Sequence, residues 1–146
     1  MKRFKFRLQQ VLNYRNAVRK DKERDLAIRN TELFSAEEEL TGIMAAQDGC
    51  QMPATTLSMA ELMLTGEYQI RLREELENQR VMVQQATEAV EAARNAYIEK
   101  AVEAEILETL KEKRLSAHKE EVHKAERKQL DEIVVQRHGM KKRSHG

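Results

Sequence analysis

Apolar residues return along this chain at seven-residue intervals, and polar or charged residues fill most positions between them. In the first third, Leu12, Leu26, Leu33 and Leu40 share one heptad position, with Arg19 as the exception. Leu8, Ala36 and Ile43 share the companion position, where Arg15, Lys22 and Arg29 also fall. Further on, Leu62, Leu76, Val83, Val90, Tyr97 and Ala104 keep the same period, joined by Leu72, Ala86, Ala93 and Leu107. A stripe of this kind on a helix is buried against a matching stripe, which is the pattern of a coiled coil. One break divides the two series. Asp48 to Thr56 contains Gly49, a helix stop, and Pro53, which cannot continue a helix. Ser58 and Glu61 then have the S-x-x-E spacing of a capping box, a start signal. The pattern predicts a first helix over about 4–47, a loop over 48–57, a second helix over about 58–138 and a basic tail over 139–146. The fold class that follows is all-α: two long helices in an antiparallel coiled-coil hairpin, one domain, with the second helix much longer than the first.

Antiparallel pairing about a tip near residue 52 brings together residues whose numbers sum to about 105. Leu33 then faces the Leu72 region, Leu26 faces Gln79 and Leu8 faces Tyr97. At 1.5 Å per residue the two helices are roughly 65 and 120 Å long. About 30 residues of the second helix, from near 105 to 138, are left with no partner in the same chain. An isolated helix gains little stability in water, yet this stretch keeps Leu107, Leu110, Leu115, Val122, Leu130, Ile133 and Val134. Its partner is expected on another molecule. The first helix weakens from Arg19 to Asp25, where seven consecutive residues are charged. Pairs at i,i+3 and i,i+4 make a solvated helical segment the simpler reading, and a seam that tolerates bending the functional one.

Composition supports helices over a rounded globule. Charged residues make up 35% of the 146 residues and aromatics 4%, with one Pro and no Trp. Large side chains for a deep core are scarce, while the richness in Ala, Glu, Lys, Leu and Arg suits long helices. The formal net charge of +1 gives no global attraction to nucleic acid or anionic lipid. Basic residues crowd both ends, at Lys2, Arg3, Lys5 and Arg7 and at Arg137, Lys141, Lys142 and Arg143. Glu37, Glu38 and Glu39 make the middle acidic. A lone cysteine, Cys50, fits a reducing compartment. No apolar run approaches the ~20 residues of a membrane span, and the basic N-terminus lacks the apolar stretch of a signal peptide. A cytosolic protein without direct membrane insertion is expected.

No catalytic, cofactor or metal motif survives inspection. The chain has neither a P-loop nor G-x-G-x-x-G. His118 and His123 are five apart, about 140° around a helix, whereas two ligands on one face need a spacing of four. Cys50 has no His close in sequence to activate it. The carboxylates are spread along helices with no deep pocket to shift their pKa values. A coiled-coil arm that binds nucleic acid is a competing reading, but it calls for a stripe of Lys and Arg along one face, and the long stripes carry balanced charge. A structural scaffold dimer, zipped through two overhangs, is a second alternative.

The two ends are more distinctive. The opening Phe4-Lys5-Phe6-Arg7-Leu8, followed by Leu12 and Arg15, resembles the F-x-F-x-L-x-x-x-L-x-x-R start of the FliJ family, small coiled-coil proteins of the flagellar type III export apparatus. Leu107 to Lys113 (LETLKEK) and Glu126 to Ile133 (ERKQLDEI), before Arg137-His138, look like that family's C-terminal pattern. Length, central break and two-helix layout agree over essentially the whole chain. The resemblance implies a non-enzymatic stalk and chaperone. Such a protein inserts one end of its coiled coil into the hexameric ring of the flagellar export ATPase and contacts the transmembrane export gate protein, with export substrates or their chaperones as further partners. It implies a cytoplasmic location, peripheral to the inner face of the cell membrane at the flagellar base. The injectisome stalk proteins share the design.

Carried onto this sequence, the ATPase-binding residues are Phe4, Phe6, Arg7, Leu8, Leu12 and Arg15, with Leu130, Asp131, Glu132 and Ile133 on the second helix. Exposed Phe and Leu would anchor in the ring while Arg and Asp set orientation. Hairpin arithmetic sets the two groups about 50 Å apart, too far to act at one depth unless loop or register differs. For the gate, Tyr68 and Leu72 keep an aromatic-x-x-x-Leu spacing similar to the family's. Glu75 and Gln79 depart from the small and His residues found there in some members.

Overall fold

The computed structural model describes residues 3–50 and 58–145. They form two helices, α1 (Gln9–Gly49) and α2 (Met59–Ser144), of 41 and 86 residues, with no strand among the described residues. The expected fold class holds, and the second helix is the longer by far. The predicted loop falls almost entirely on residues 51–57, outside the described residues.

Local chemistry accounts for where α2 starts. The Ser58 amide donates to Glu61 Oε2 at 3.0 Å, and the Glu61 amide donates to Ser58 Oγ at 3.3 Å, the reciprocal pair of a capping box. The far end differs from expectation. Gly139 does not stop the helix, which runs through the supposed basic tail to Ser144. A glycine ends a helix by taking a left-handed conformation, and no described glycine has positive φ. Gly139 costs the helix about 1 kcal/mol relative to Ala, while Lys141, Lys142 and Arg143 in the last turn offset the negative end of the helix dipole.

The chain divides into two compact units. One comprises residues 17–101 and the other residues 1–16 with 102–146. In the first, α1 and α2 pack antiparallel along the predicted stripe: Leu72, Leu76 and Val90 are buried, and Leu26, Leu33, Leu40, Val83, Ala86 and Ala93 are half-buried. Gln79 occupies the same companion series as Leu72 and Ala86 and is buried too. Its Nε2 donates to the Ala36 carbonyl at 3.0 Å, which satisfies a group that would otherwise be costly to bury. Gln69 Nε2 donates likewise to the Cys50 carbonyl at 3.1 Å.

These bonds correct the register. Gln79 meets Ala36, not Leu26, and the last residue after α1 meets Gln69. Each partner lies ten or more residues further along α2 than a sum of about 105 allows, because the first turns of α2 precede the paired stretch and do not take part in it. Leu62, read as a seam residue, is exposed accordingly.

In the second unit, residues 3–6 have no regular structure and Arg7–Leu8 form a turn, so the first helix begins five residues later than predicted. Burial alternates strictly along this segment: Phe4, Phe6 and Leu8 are covered, whereas Arg3, Lys5 and Arg7 are exposed. Period two is the mark of extended backbone, with successive side chains on opposite sides. Phe6 and Leu12 form a cluster with Leu107, against which Phe4, Leu8 and Leu110 pack.

Candidate partner-binding surfaces

Three surfaces carry the residues singled out by sequence. At the first, the aromatic N-terminal segment is seated on α2. Phe6 is 8% and Leu12 3% exposed. The guanidinium of Arg114 stands over the Phe6 ring at 5.9 Å, a cation–π distance. Phe4 meets His118 with ring centroids 5.6 Å apart. Arg15 Nη1 donates to the Glu103 backbone carbonyl at 3.2 Å. The expectation of exposed Phe and Leu anchors is therefore corrected: Phe6 and Leu12 are core, Phe4 and Leu8 are half-buried, and of the six N-terminal residues named only Arg7 is fully exposed. The reason is that α2 at Leu107 and Leu110 offers these side chains an apolar seat within the same chain.

The same packing shortens the expected overhang. Ala104 and Leu107 are buried, and partial burial continues through Leu110, Leu115, His118 and Val122 to Glu126. From Arg127 onward every described residue is exposed. Here lies the second surface. Leu130 (62% exposed), Ile133 (47%) and Val134 (64%) sit at i, i+3 and i+4, so they share one helix face, with Asp131 and Glu132 beside them. Leu130 lies twelve residues beyond His118, about 18 Å along the helix. The N-terminal group and the Leu130–Ile133 group are thus much nearer than the 50 Å that sequence arithmetic gave, although no contact joins them.

The third surface belongs to the other unit. Tyr68 is half exposed, but Leu72 is buried in the seam, so of the two predicted gate residues only Tyr68 presents its side chain. Met59, Met63, Leu64 and Ile70, near it on α2, are more exposed than Tyr68 itself. Sequence reasoning missed them. Their positions outside the two seam series were the available signal, since apolar residues off the seam must face outward. Methionines suit a surface that adapts to its partner. In the same unit, Lys22, Ile28 and Arg29 line an open groove above Ala89, Ala93 and Ala96. The charged stretch of α1 thus lays long side chains over small ones. Arg29 also pairs with Glu32 at 3.0 Å, an exposed pair of little energetic weight.

His123 Nδ1 lies 3.7 Å from Glu126 on an exposed helix face, and His118 packs on Phe4. Among the described residues no group of His, Cys, Asp or Glu is arranged to hold a metal ion. The Cys50 thiol is free and half-buried. Among the described residues no helix is long and apolar enough to cross a membrane. The surfaces offer apolar side chains ringed by charge, which is what binding another protein requires.

Comparison with protein families gives a match to the family described as flagellar FliJ protein, over residues 4–143. No curated protein and no solved structure shows a significant match to the chain.

Proposed function

The chain belongs to the family of flagellar FliJ proteins, and from that membership we propose that it is a non-enzymatic stalk and chaperone of the flagellar type III protein export apparatus. It binds the hexameric export ATPase and couples that ring to the transmembrane export gate, while hydrolysis remains with the ring. The protein works in the cytoplasm, at the inner face of the membrane beneath the flagellum, and escorts export substrates or their chaperones.

The observation that supports ATPase binding best is the run of α2 from residue 127 to 144, helical and exposed on all sides. A lone helix of this length is marginal in water, and Leu130, Ile133 and Val134 gain most by entering an apolar lumen. Asp131 and Glu132 orient the insertion by pairing with basic groups of the ring. Among the N-terminal candidates, the direct contact with the ring is assigned to Arg7, because its side chain is exposed. Phe4, Phe6, Leu8, Leu12 and Arg15 contribute by building the unit that carries this helix. For the gate, the reading centres on Tyr68, with Leu72 holding the helix beneath it.

A strain lacking this protein tests the assignment. It is expected to lose swimming motility and to secrete little filament protein, both restored by the gene in trans. Normal swimming and secretion would defeat the flagellar reading.

A further inference from the structure

We propose that residues 3–8 form a strap that keeps α2 helical from residue 104 to 126, and that Phe6 is a positioning residue for the exposed end of that helix. The inference rests in part on the proposed ATPase binding, since it assigns the N-terminal residues an indirect share in that contact.

The α1 helix starts at Gln9 and its first buried residue, Leu12, packs at Leu107. Beyond that level the strap takes over: Phe6 joins the Leu12 and Leu107 cluster, Arg114 lies over its ring, and Phe4 reaches His118. The strap's backbone bonds run only into the start of α1, with the Phe6 carbonyl accepting from the Gln9 amide and the Leu8 carbonyl from the Leu12 amide. Its hold on α2 therefore comes from side chains, chiefly two aromatic rings. An extended segment advances about 3.3 Å per residue against 1.5 Å for a helix. Six residues of strap can thus cover more than twice as many residues of α2, which explains why a short aromatic segment serves here instead of another helical turn. Helix propagation is cooperative, so fixing residues 104–118 also fixes the helix that continues from them. Without the strap, Leu107 would keep only Leu12 over it, Leu110 would be opened to water, and the helix would fray back toward Ala104.

Hydrogen exchange on the full chain tests this, comparing wild type with Phe6→Ala and Phe6→Leu. Phe6→Ala is expected to speed exchange of amides 107–126 by roughly tenfold or more, with residues 72–90 unchanged. Phe6→Leu, which still fills the seat, should stay near wild type. Unaltered exchange across 107–126 in Phe6→Ala would overturn the strap, and equal loss in both stretches would overturn its local action. Binding to purified export ATPase should follow the same order, weak for Phe6→Ala and near normal for Phe6→Leu. A Phe6→Leu defect as severe as that of Phe6→Ala, with exchange intact, would make Phe6 a direct contact and overturn the positioning role. If Leu130→Ala with Ile133→Ala leaves ATPase binding unchanged, the ATPase reading fails while the exchange result still decides the strap.

Discussion

Two stretches of α2 are buried by different means. Over residues 69–97 the helix pairs with α1 through a regular heptad seam, thin in bulk and set in place by two glutamines that donate to the carbonyls of Ala36 in α1 and Cys50 just past its end. Over residues 104–118 it is covered by the start of α1 and by an extended aromatic segment, and no polar side chain supplies a bond like those of the two glutamines: Asn16 Oδ1, buried in the start of α1, has no hydrogen-bond partner among the described residues. The first arrangement specifies alignment: a buried polar group is satisfied in one register and unsatisfied in the next. The second supplies bulk where helix–helix packing is running out. Past residue 126 neither device operates, and the helix is bare. A surface for a partner begins where the chain stops covering itself.

The largest effect that would break this comparison comes from the aromatic-covered stretch. Leu12→Ala, at a site 3% exposed, is expected to cost about 2–4 kcal/mol by urea denaturation, with the loss felt at residues 104–118 in hydrogen exchange. A loss below about 0.5 kcal/mol would mean that the Phe6–Leu12–Leu107 cluster is not the core it is taken for. In the heptad stretch, Gln79→Leu should be nearly neutral in stability, within about 1 kcal/mol, since a buried amide is exchanged for an apolar side chain. It should nevertheless broaden the distance between spin labels placed on the exposed faces of the two helices, because register is less firmly fixed. An unbroadened distance would remove the aligning role from Gln79. Ser58→Ala should cost about 1 kcal/mol and fray the first turn of α2, read as lost amide protection at residues 59–62. In the bare stretch a small gain is expected. Gly139→Ala should raise helicity by circular dichroism and add about 0.5–1 kcal/mol locally, since a Cβ there meets nothing within 4 Å.

Helices, break and cap were legible because each is written within a few residues. The seven-residue period of Leu76, Val83 and Val90 needs only a window of about four turns, and Ser58 with Glu61 needs four residues. Register was not legible, since it depends on how far α2 runs before pairing starts, and the bonds that reveal it join residues 19 and 43 apart in sequence. The strap was misread for a different reason. Phe4, Leu8, Leu12 and Arg15 fit helical spacing, while Arg3 to Leu8 fit strict alternation equally well. Five or six residues are too few for periodicity alone to decide. What decided was the free apolar face of Leu107 and Leu110, a distant feature. The end of α2 was placed too early, at about 138, because the backbone at Gly139 does not adopt the left-handed conformation that stops a helix. For the site, family resemblance supplied the residues, but only burial separated those that support from those that present: Leu72 and Phe6 are inside, Tyr68, Leu130 and Ile133 outside.

The bare helix is the centre of this account, and one binding measurement tests it most directly. Affinity for the purified export ATPase should be compared between wild type and the double variant Leu130→Ala with Ile133→Ala. Both side chains are exposed, so circular dichroism and unfolding should hardly change. The account predicts that binding falls tenfold or more, corresponding to at least about 1.4 kcal/mol. Wild-type affinity in the double variant would contradict it.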